Sequence, residues 1–472
     1  LDIALLAPEL ITALFASLAI LVGTFMPRTK RASLYLALLG IALGAGACAL
    51  LVGRNTTSFY GALVVDDFAI FFKLAFLLAA ALVAIASGDF LRRYPGIEGE
   101  FYGLLLFATT GMMLMAGTGE LMSLYLSLEL ASISLYLLAG LAKRDQKSSE
   151  AALKYLLLGA LSSAVLLYGM ALLYGLSGTT DLAGIAAAIG QTTSPALLLG
   201  MALVASGFAF KIAAVPFQMW APDVYEGAPT PVTAFLSVAS KAAGFAALVR
   251  VFTVALPSLQ PDWVALFAVL SALTMTLGNV AAIPQGNIKR MLAYSSIGHA
   301  GYLLMGVAAA TTLGLSSLLF YLLAYTVTNV AAFIVVIALS QAVPDNQIAG
   351  YAGLHRRSPL LSFALAASLL SLAGLPPMAG FFAKLYLFAA AFQAGLAWLV
   401  VLGLLNSAIS LYYYSQVVRQ MYLVPPKEEQ PVRFPRLALV SLSVALAGVF
   451  ALGILSDPFL AFAQAAVTAM VK

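Results

Sequence analysis

The sequence predicts an all-α polytopic membrane protein of about 14 transmembrane helices, built around two inverted five-helix repeats, each containing a broken helix. Three observations carry that prediction. Hydrophobic residues make up 62% of the 472 residues and charged residues only 9%, against roughly a quarter charged in a soluble domain. Almost the whole chain falls into apolar runs of about 20 residues, the length that crosses a hydrocarbon layer. Two of these runs are interrupted by proline beside a lysine: Pro216 after Lys211, and Pro376-Pro377 before Lys384. Proline removes a backbone donor and crowds the preceding turn, so both helices should be kinked or broken next to their charges.

Taken in order, the spans fall at 3–26, 32–53, 64–86, 101–117, 119–141, 149–177, 196–220, 229–254, 263–283, 290–310, 314–340, 358–394, 396–420 and 437–456. The first is too long for a signal peptide and lacks a basic start; the chain begins with Leu1, so the initiator end is expected to be trimmed. Between the seventh and eighth spans lies a cap rich in proline and acid, WAPDVYEGAPTP. The twelfth is too long for one straight crossing and contains Gly374, Pro376, Pro377 and Gly380. Residues 457–472, opening on Asp457-Pro458, read as a short terminal tail at the interface. The organisation is then an N-terminal three-helix segment (1–100), a first repeat (101–255), a second repeat (256–423) and a C-terminal helix and tail (424–472). Five crossings are an odd number, so the two repeats must be inverted relative to each other, a transporter signature.

The net charge of +5 belongs to loop residues, so it speaks of topology rather than nucleic acid. Loops on one side carry Arg28, Lys30, Arg31, Arg92, Arg93, Lys143, Arg144, Lys147, Lys289, Arg290, Arg356, Arg357, Arg419, Lys427, Arg433 and Arg436; the other side carries only Arg54, Arg250 and Lys472. The positive-inside rule then puts both termini outside the cytoplasm. His355 lies beside Arg356 and Arg357 and is explained by the same loop topology. Five of the twenty-four basic residues fall inside spans: Lys73, Lys154, Lys211, Lys241 and Lys384.

A lysine near the bilayer centre costs on the order of 2.5–3.5 kcal/mol, so these are candidates for function. Lys241 lies too deep to snorkel easily. Lys211 stands beside a break whose freed carbonyls can coordinate it or water, with snorkelling as the plainer alternative. Lys154 follows a basic loop, so anchoring and function both stand. Lys73 comes two turns after Asp66 and Asp67, and a local ion pair explains it as well as transport does. Glu129 is a lone mid-membrane acid with Tyr125 and Ser132 on its helical face; it is expected to pair with a lysine from another span, or else to be a structural acid neutralised by hydrogen bonds. His299, one turn after Ser295 and Ser296, is either a satisfied core histidine or a proton relay. Lys384 follows the Pro-Pro break and matches Lys211 in the other repeat.

Other chemistry has no foothold. The single cysteine, Cys48, gives no disulfide framework and no cysteine-based metal or iron–sulfur site. There is no phosphate-binding loop, no GxGxxG on a strand, no paired haem histidines and no Ser-His-Asp set. Any energy has to arrive from a partner or an ion gradient.

Four stretches carry a resemblance: GFAFKIAAVPFQMWAPDVYEGAPTPVTAFLSVASKAAGFAALVR, EAALKYLLLGALSSAVLLYG, IKRMLAYSSIGHAGYLLMG and LAGLPPMAGFFAKLYLF. They are similar to the N-type antiporter-like subunits of proton-pumping NADH–quinone oxidoreductase, complex I, over essentially all fourteen spans. The resemblance implies a proton-translocating subunit of a respiratory membrane arm in a bacterial inner membrane, without redox chemistry of its own. Flavin, iron–sulfur clusters and quinone are then expected in partner subunits, and no cofactor on this chain. Its partners would be other membrane-arm subunits, including further antiporter-like ones, together with the lipid bilayer and protons, and no nucleic acid. Glu129, Lys154, Lys211, Lys241, His299 and Lys384 would correspond to the polar axis that carries protons. The alternatives are a subunit of a multisubunit Na⁺/H⁺ antiporter, and a structural scaffold of the membrane arm.

Overall fold

In the computed structural model, residues 2–26, 31–190, 194–340, 342–426, 430–432, 434 and 436–471 are described. Arg28, Lys30, Lys427, Arg433 and Lys472, used above to orient the chain, lie outside the described residues. The chain opens with α1 (Ala7–Phe25) and α2 (Ala32–Ala49). A small antiparallel hairpin follows, β1 (Thr56–Ser58) with β2 (Leu63–Val65), between the second and third spans and ending just inside the third. Next come α3 (Asp67–Ser87), α4 (Glu98–Ala116), α5 (Leu121–Ala139) and α6 (Gln146–Ser177), a short α7 (Leu182–Ile189), and α8 (Pro195–Lys211). Some of these starts carry their own chemistry: the Asp66 carboxylate accepts from the Ala69 amide, and Ser194 caps α8 just ahead of Pro195.

The seventh span breaks as expected, but not where its cap was drawn. The chain leaves the helix at Lys211 and re-enters it as α9 (Trp220–Gly227), so most of the supposed cap is the second half of the broken helix. Ala213 turns the break with φ of 58°, a left-handed conformation that strains a residue with a Cβ. The eighth span runs through α10 (Thr230–Phe235), a π-helical turn (Leu236–Ser240), α11 (Lys241–Arg250) and a second π turn (Val251–Ala255). π turns of this kind gather at functional sites.

The second half follows with α12 (Gln260–Ala282), α13 (Ile288–Ala308), α14 (Thr312–Leu339), the single turn α15 (Leu354–Arg357), α16 (Pro359–Ala373), α17 (Ala379–Gln393) and α18 (Ala397–Leu423). The twelfth span is thus two helices. Gly374, at φ of 94°, ends α16 in the left-handed turn that suits glycine. Gly380 lets the halves cross: a Cβ there would sit 1.8 Å from the Ser371 carbonyl oxygen. The chain closes with α19 (Arg436–Ile454) and α20 (Ser456–Val471). The terminal tail is therefore a helix, packed on α3 and α14 through residues such as Ala463, Ala466 and Val467. Its small residues at helical spacing hide an ordinary packing face.

Among the described residues, eleven helical stretches are long and apolar enough to cross a membrane, with α8, α16 and α17 as shorter apolar pieces. The spans through α10–α11 and α14 are the hub. Their most apolar windows are 100% and 89% buried, whereas that of α6 is only 33% buried. The outer faces of α1, α5, α6, α12 and α18 expose leucines such as Leu14, Leu126, Leu157, Leu273 and Leu404, as a lipid- or partner-facing surface requires. What the hub buries is not purely apolar.

Candidate functional site

Glu129 on α5 sits at the edge of this interior, half-buried. Ser163 of α6 donates a short hydrogen bond to its carboxylate and lies 3.3 Å from the Tyr125 hydroxyl. Lys211, at the end of α8, instead donates to Ser132 at 2.9 Å. The expected direct pairing of Glu129 with a lysine is therefore absent among the described residues. A cavity of about 10 Å³, lined by Lys211, Ser132, Ser163, Tyr136 and Tyr155, lies between the two groups. That is room for about one water. The carbonyl beside Lys211 is already spoken for, because the Trp220 indole donates to Phe210 O at 2.9 Å. The sequence leads one to expect freed carbonyls at the break to coordinate Lys211 or water; the Phe210 carbonyl is instead held by the Ala213 amide and the Trp220 indole.

Lys241, 3% exposed, reaches across to α13. Its ammonium donates to the Ser296 carbonyl and hydroxyl, the latter at 2.6 Å. The Tyr325 ring is 5.8 Å from the nitrogen, and the Tyr225 hydroxyl is 3.4 Å from Ser296. One turn along α13, His299 Nδ1 is 2.7 Å from the Tyr321 hydroxyl and Nε2 is 3.3 Å from that of Tyr414. Tyr414 in turn shares a short hydrogen bond with Ser295. Lys384 on α17 donates to Ala373 O, the last carbonyl of α16, at 2.8 Å. Its nitrogen lies 4.9 Å from the Tyr302 ring, which stands 5.9 Å from that of His299. The freed-carbonyl arrangement expected of Lys211 is thus found at Lys384.

Lys154 lies apart from this row. It is bound to Glu150 at 2.8 Å and Asp223 at 2.7 Å, at the end of the molecule where α6, α9 and α13 meet. Arg290 completes the clamp on Asp223 at 2.8 Å and Glu226 at 3.2 Å. Lys289, counted above as a loop charge, is buried and donates to Glu226 O and Ala228 O, capping α9. Burial pushes the Asp223 carboxyl up, but hydrogen bonds and charge from Lys154 and Arg290 outweigh it and hold the group below its ordinary range.

Two further pairs correct the loop and local-pair readings. Lys73 bonds neither nearby aspartate; it meets Glu9 of α1 at 2.6 Å, both fully enclosed. Asp66 is taken by Arg250, which is buried rather than exposed in a loop, through two contacts of 2.9 Å, and Arg250 Nε also donates to Ala116 O at 3.0 Å. This pair ties the start of α3 to the end of α11.

Lys211, Lys241, His299 and Lys384 thus form a row of buried basic groups joined or flanked by hydroxyls. A serine or tyrosine hydroxyl both donates and accepts, so such a row can pass a proton without a net change at the relaying group. In the sequence the charges stand out and the tyrosines do not. With 20 tyrosines in an apolar chain, which normally mark membrane interfaces, nothing set Tyr155, Tyr225, Tyr321, Tyr325 and Tyr414 apart. Among the described residues no cluster of three or more His, Cys, Asp or Glu suits a metal.

Residues 118–410 match the model of the NADH:quinone oxidoreductase/Mrp antiporter membrane family. A relative from Trichlorobacter lovleyi, NADH-quinone oxidoreductase subunit N, is 49% identical over 98% of this chain and 96% of its own length. One of the same name from Moorella thermoacetica is 48% identical over 98% and 97%. Among solved structures, a chain of respiratory complex I from Thermus thermophilus with bound aureothin superposes with a TM-score of 0.83 at 38% identity, over 96% of this chain and 98% of that one. A chain of the Mrp complex from Dietzia shares the fold, with a TM-score of 0.87 at 22% identity.

Proposed function

The chain belongs to the family of antiporter-like membrane subunits of NADH–quinone oxidoreductase, and from that premise we propose that it carries protons outward across a bacterial plasma membrane. The observation that supports this most is the row Lys211, Lys241, His299 and Lys384. Each is 5% exposed or less and held by hydroxyls or carbonyls, with no acid in direct contact among the described residues. A lysine so held keeps its proton through its neighbours' orientation, and loses it when that orientation changes in a dry site. Moving one charge against 100 mV costs about 2.3 kcal/mol, or about 1.7 pK units, which is within reach of one altered contact of this kind.

In this reading a proton enters from the cytoplasmic side through the first repeat and loads Lys241. Lys211, whose link to Glu129 runs through Ser132, the small cavity and Ser163, passes or repels it. It then moves by Ser296 and the His299 tyrosines toward Lys384, and leaves on the outer face, where both chain termini also lie. Lys154 serves the cytoplasmic mouth, where its aspartate clamp stands. The driving reaction, with flavin, iron–sulfur clusters and quinone, belongs to partner subunits docked on the exposed apolar faces, further antiporter-like subunits among them. A sodium-carrying antiporter is the competing reading. Sodium favours oxygen ligands, and this row is mainly ammonium groups. Redox-driven acidification in sodium-free buffer should therefore persist at full rate. An absolute requirement for Na⁺, with Na⁺ moved through this subunit, would transfer the assignment to the antiporter.

A further inference from the structure

The row is not continuous, and its first break lies between Lys211 and Lys241. Lys211 is tied to Ser132 and Lys241 to Ser296, and among the described residues no hydrogen bond joins these two sets. The hydroxyls of Tyr155 and Ser240 lie in that gap. Both are buried, at about 1% exposure, and neither hydroxyl has a partner beyond a loose contact with the other. Tyr155 also lines the small cavity beside Lys211, and Ser240 immediately precedes Lys241, closing the π turn that leads into α11. The tyrosine ring is held firmly, stacked on Trp220 at 4.5 Å and set edge-on against Tyr136 at 4.7 Å. A rigid ring thus carries a hydroxyl from the wall of the Lys211 cavity toward Ser240, the residue next to Lys241 in the chain. Buried polar atoms without partners are rare, and each calls for an explanation.

We propose that Tyr155 and Ser240 are proton-carrying residues that bridge the Lys211 cavity to Lys241. This rests on the proton-carrying reading of the row and supplies residues for one step that reading leaves open. The Lys211 N–H bond breaks, and its proton passes through a water in the cavity to the Tyr155 oxygen. The Tyr155 hydroxyl proton passes to Ser240, and that of Ser240 goes to the nitrogen of a deprotonated Lys241, whose flexible stem has swung off Ser296. Each hydroxyl gives one proton and gains one, so only the lysines change charge. Both hydroxyls then rotate back.

Tyr155→Phe keeps the stacked ring and removes only the relay oxygen. The experiment measures protons pumped per quinone reduced, in membranes holding the assembled complex, for Tyr155→Phe, Ser240→Ala, their double mutant and Lys241→Ala. Both single variants should lose at least half of the wild-type ratio, with a changed solvent deuterium isotope effect. The double mutant should lose no more than the worse single, because both break one path. Should Tyr155→Phe fail to assemble, Ser240→Ala carries the same readout. Wild-type ratios and isotope effects in the single variants, with pumping lost in Lys241→Ala, would overturn the relay and leave the wider reading intact. Normal pumping in Lys241→Ala as well would overturn the wider reading itself.

Discussion

Lys384 shows how one side chain can be chemical or merely structural with the same contacts. Its ammonium donates to Ala373 O at the break and faces the Tyr302 ring. Both contacts suit a fixed cation as well as a cycling one. The two roles separate on substitution, because arginine keeps the charge but does not give up its proton. Lys384→Arg should therefore pump poorly at matched assembly, several-fold below wild type per quinone reduced, and no better than Lys384→Met. If Arg restores the wild-type ratio, Lys384 is an anchor and the outlet lies elsewhere. The sequence exposed Lys384 because a charge stands out in an apolar run. It did not expose Ser163, Ser240 or Tyr155, whose side chains are ordinary in membrane helices until a neighbour leaves them facing a charge or a gap.

At the scale of elements, α9 is an eight-residue helix that depends on its clamp. Lys154, Lys289 and Arg290 fasten it to α6 and α13 through Asp223, Glu226 and its terminal carbonyls. Because the Asp223 carboxyl is held below its ordinary range, its contribution is complete above the unfolded value of about 3.9. It is lost only as pH falls through the lowered value. Amide exchange over Trp220–Gly227, corrected for intrinsic rates, should then be flat between pH 6 and 8. Asp223→Asn should speed that exchange at every pH in the range; an unchanged rate would show that the clamp does not hold the helix. The sequence foretold a break at Pro216, since proline chemistry is local. It could not tell that WAPDVYEG resumes as helix, because those residues are pinned by charges from elements far along the chain. The same blindness explains α20, whose packing partners α3 and α14 no local pattern names.

For the whole molecule, the Arg250–Asp66 pair joins the start of α3 to the end of α11. Both side chains are buried, so removing one strands the other. Arg250→Met should destabilise the subunit by about 3–5 kcal/mol, read as a lower unfolding temperature of the purified complex. The double variant with Asp66→Asn should recover part of that loss, and no difference between single and double would contradict the pairing. The composition fixed the membrane class and the basic loops suggested an orientation, but Arg250 and Lys289 were misread as loop charges because burial cannot be seen in one dimension. Above these details stands the claim that buried lysines at the hub carry the pumped proton, and Lys241 is its centre. The direct measurement is proton translocation per quinone reduced in membranes from a Lys241→Ala strain, with assembly verified. The account predicts a loss of most pumping in a complete complex; an assembled Lys241→Ala complex that pumps at the wild-type ratio would contradict it.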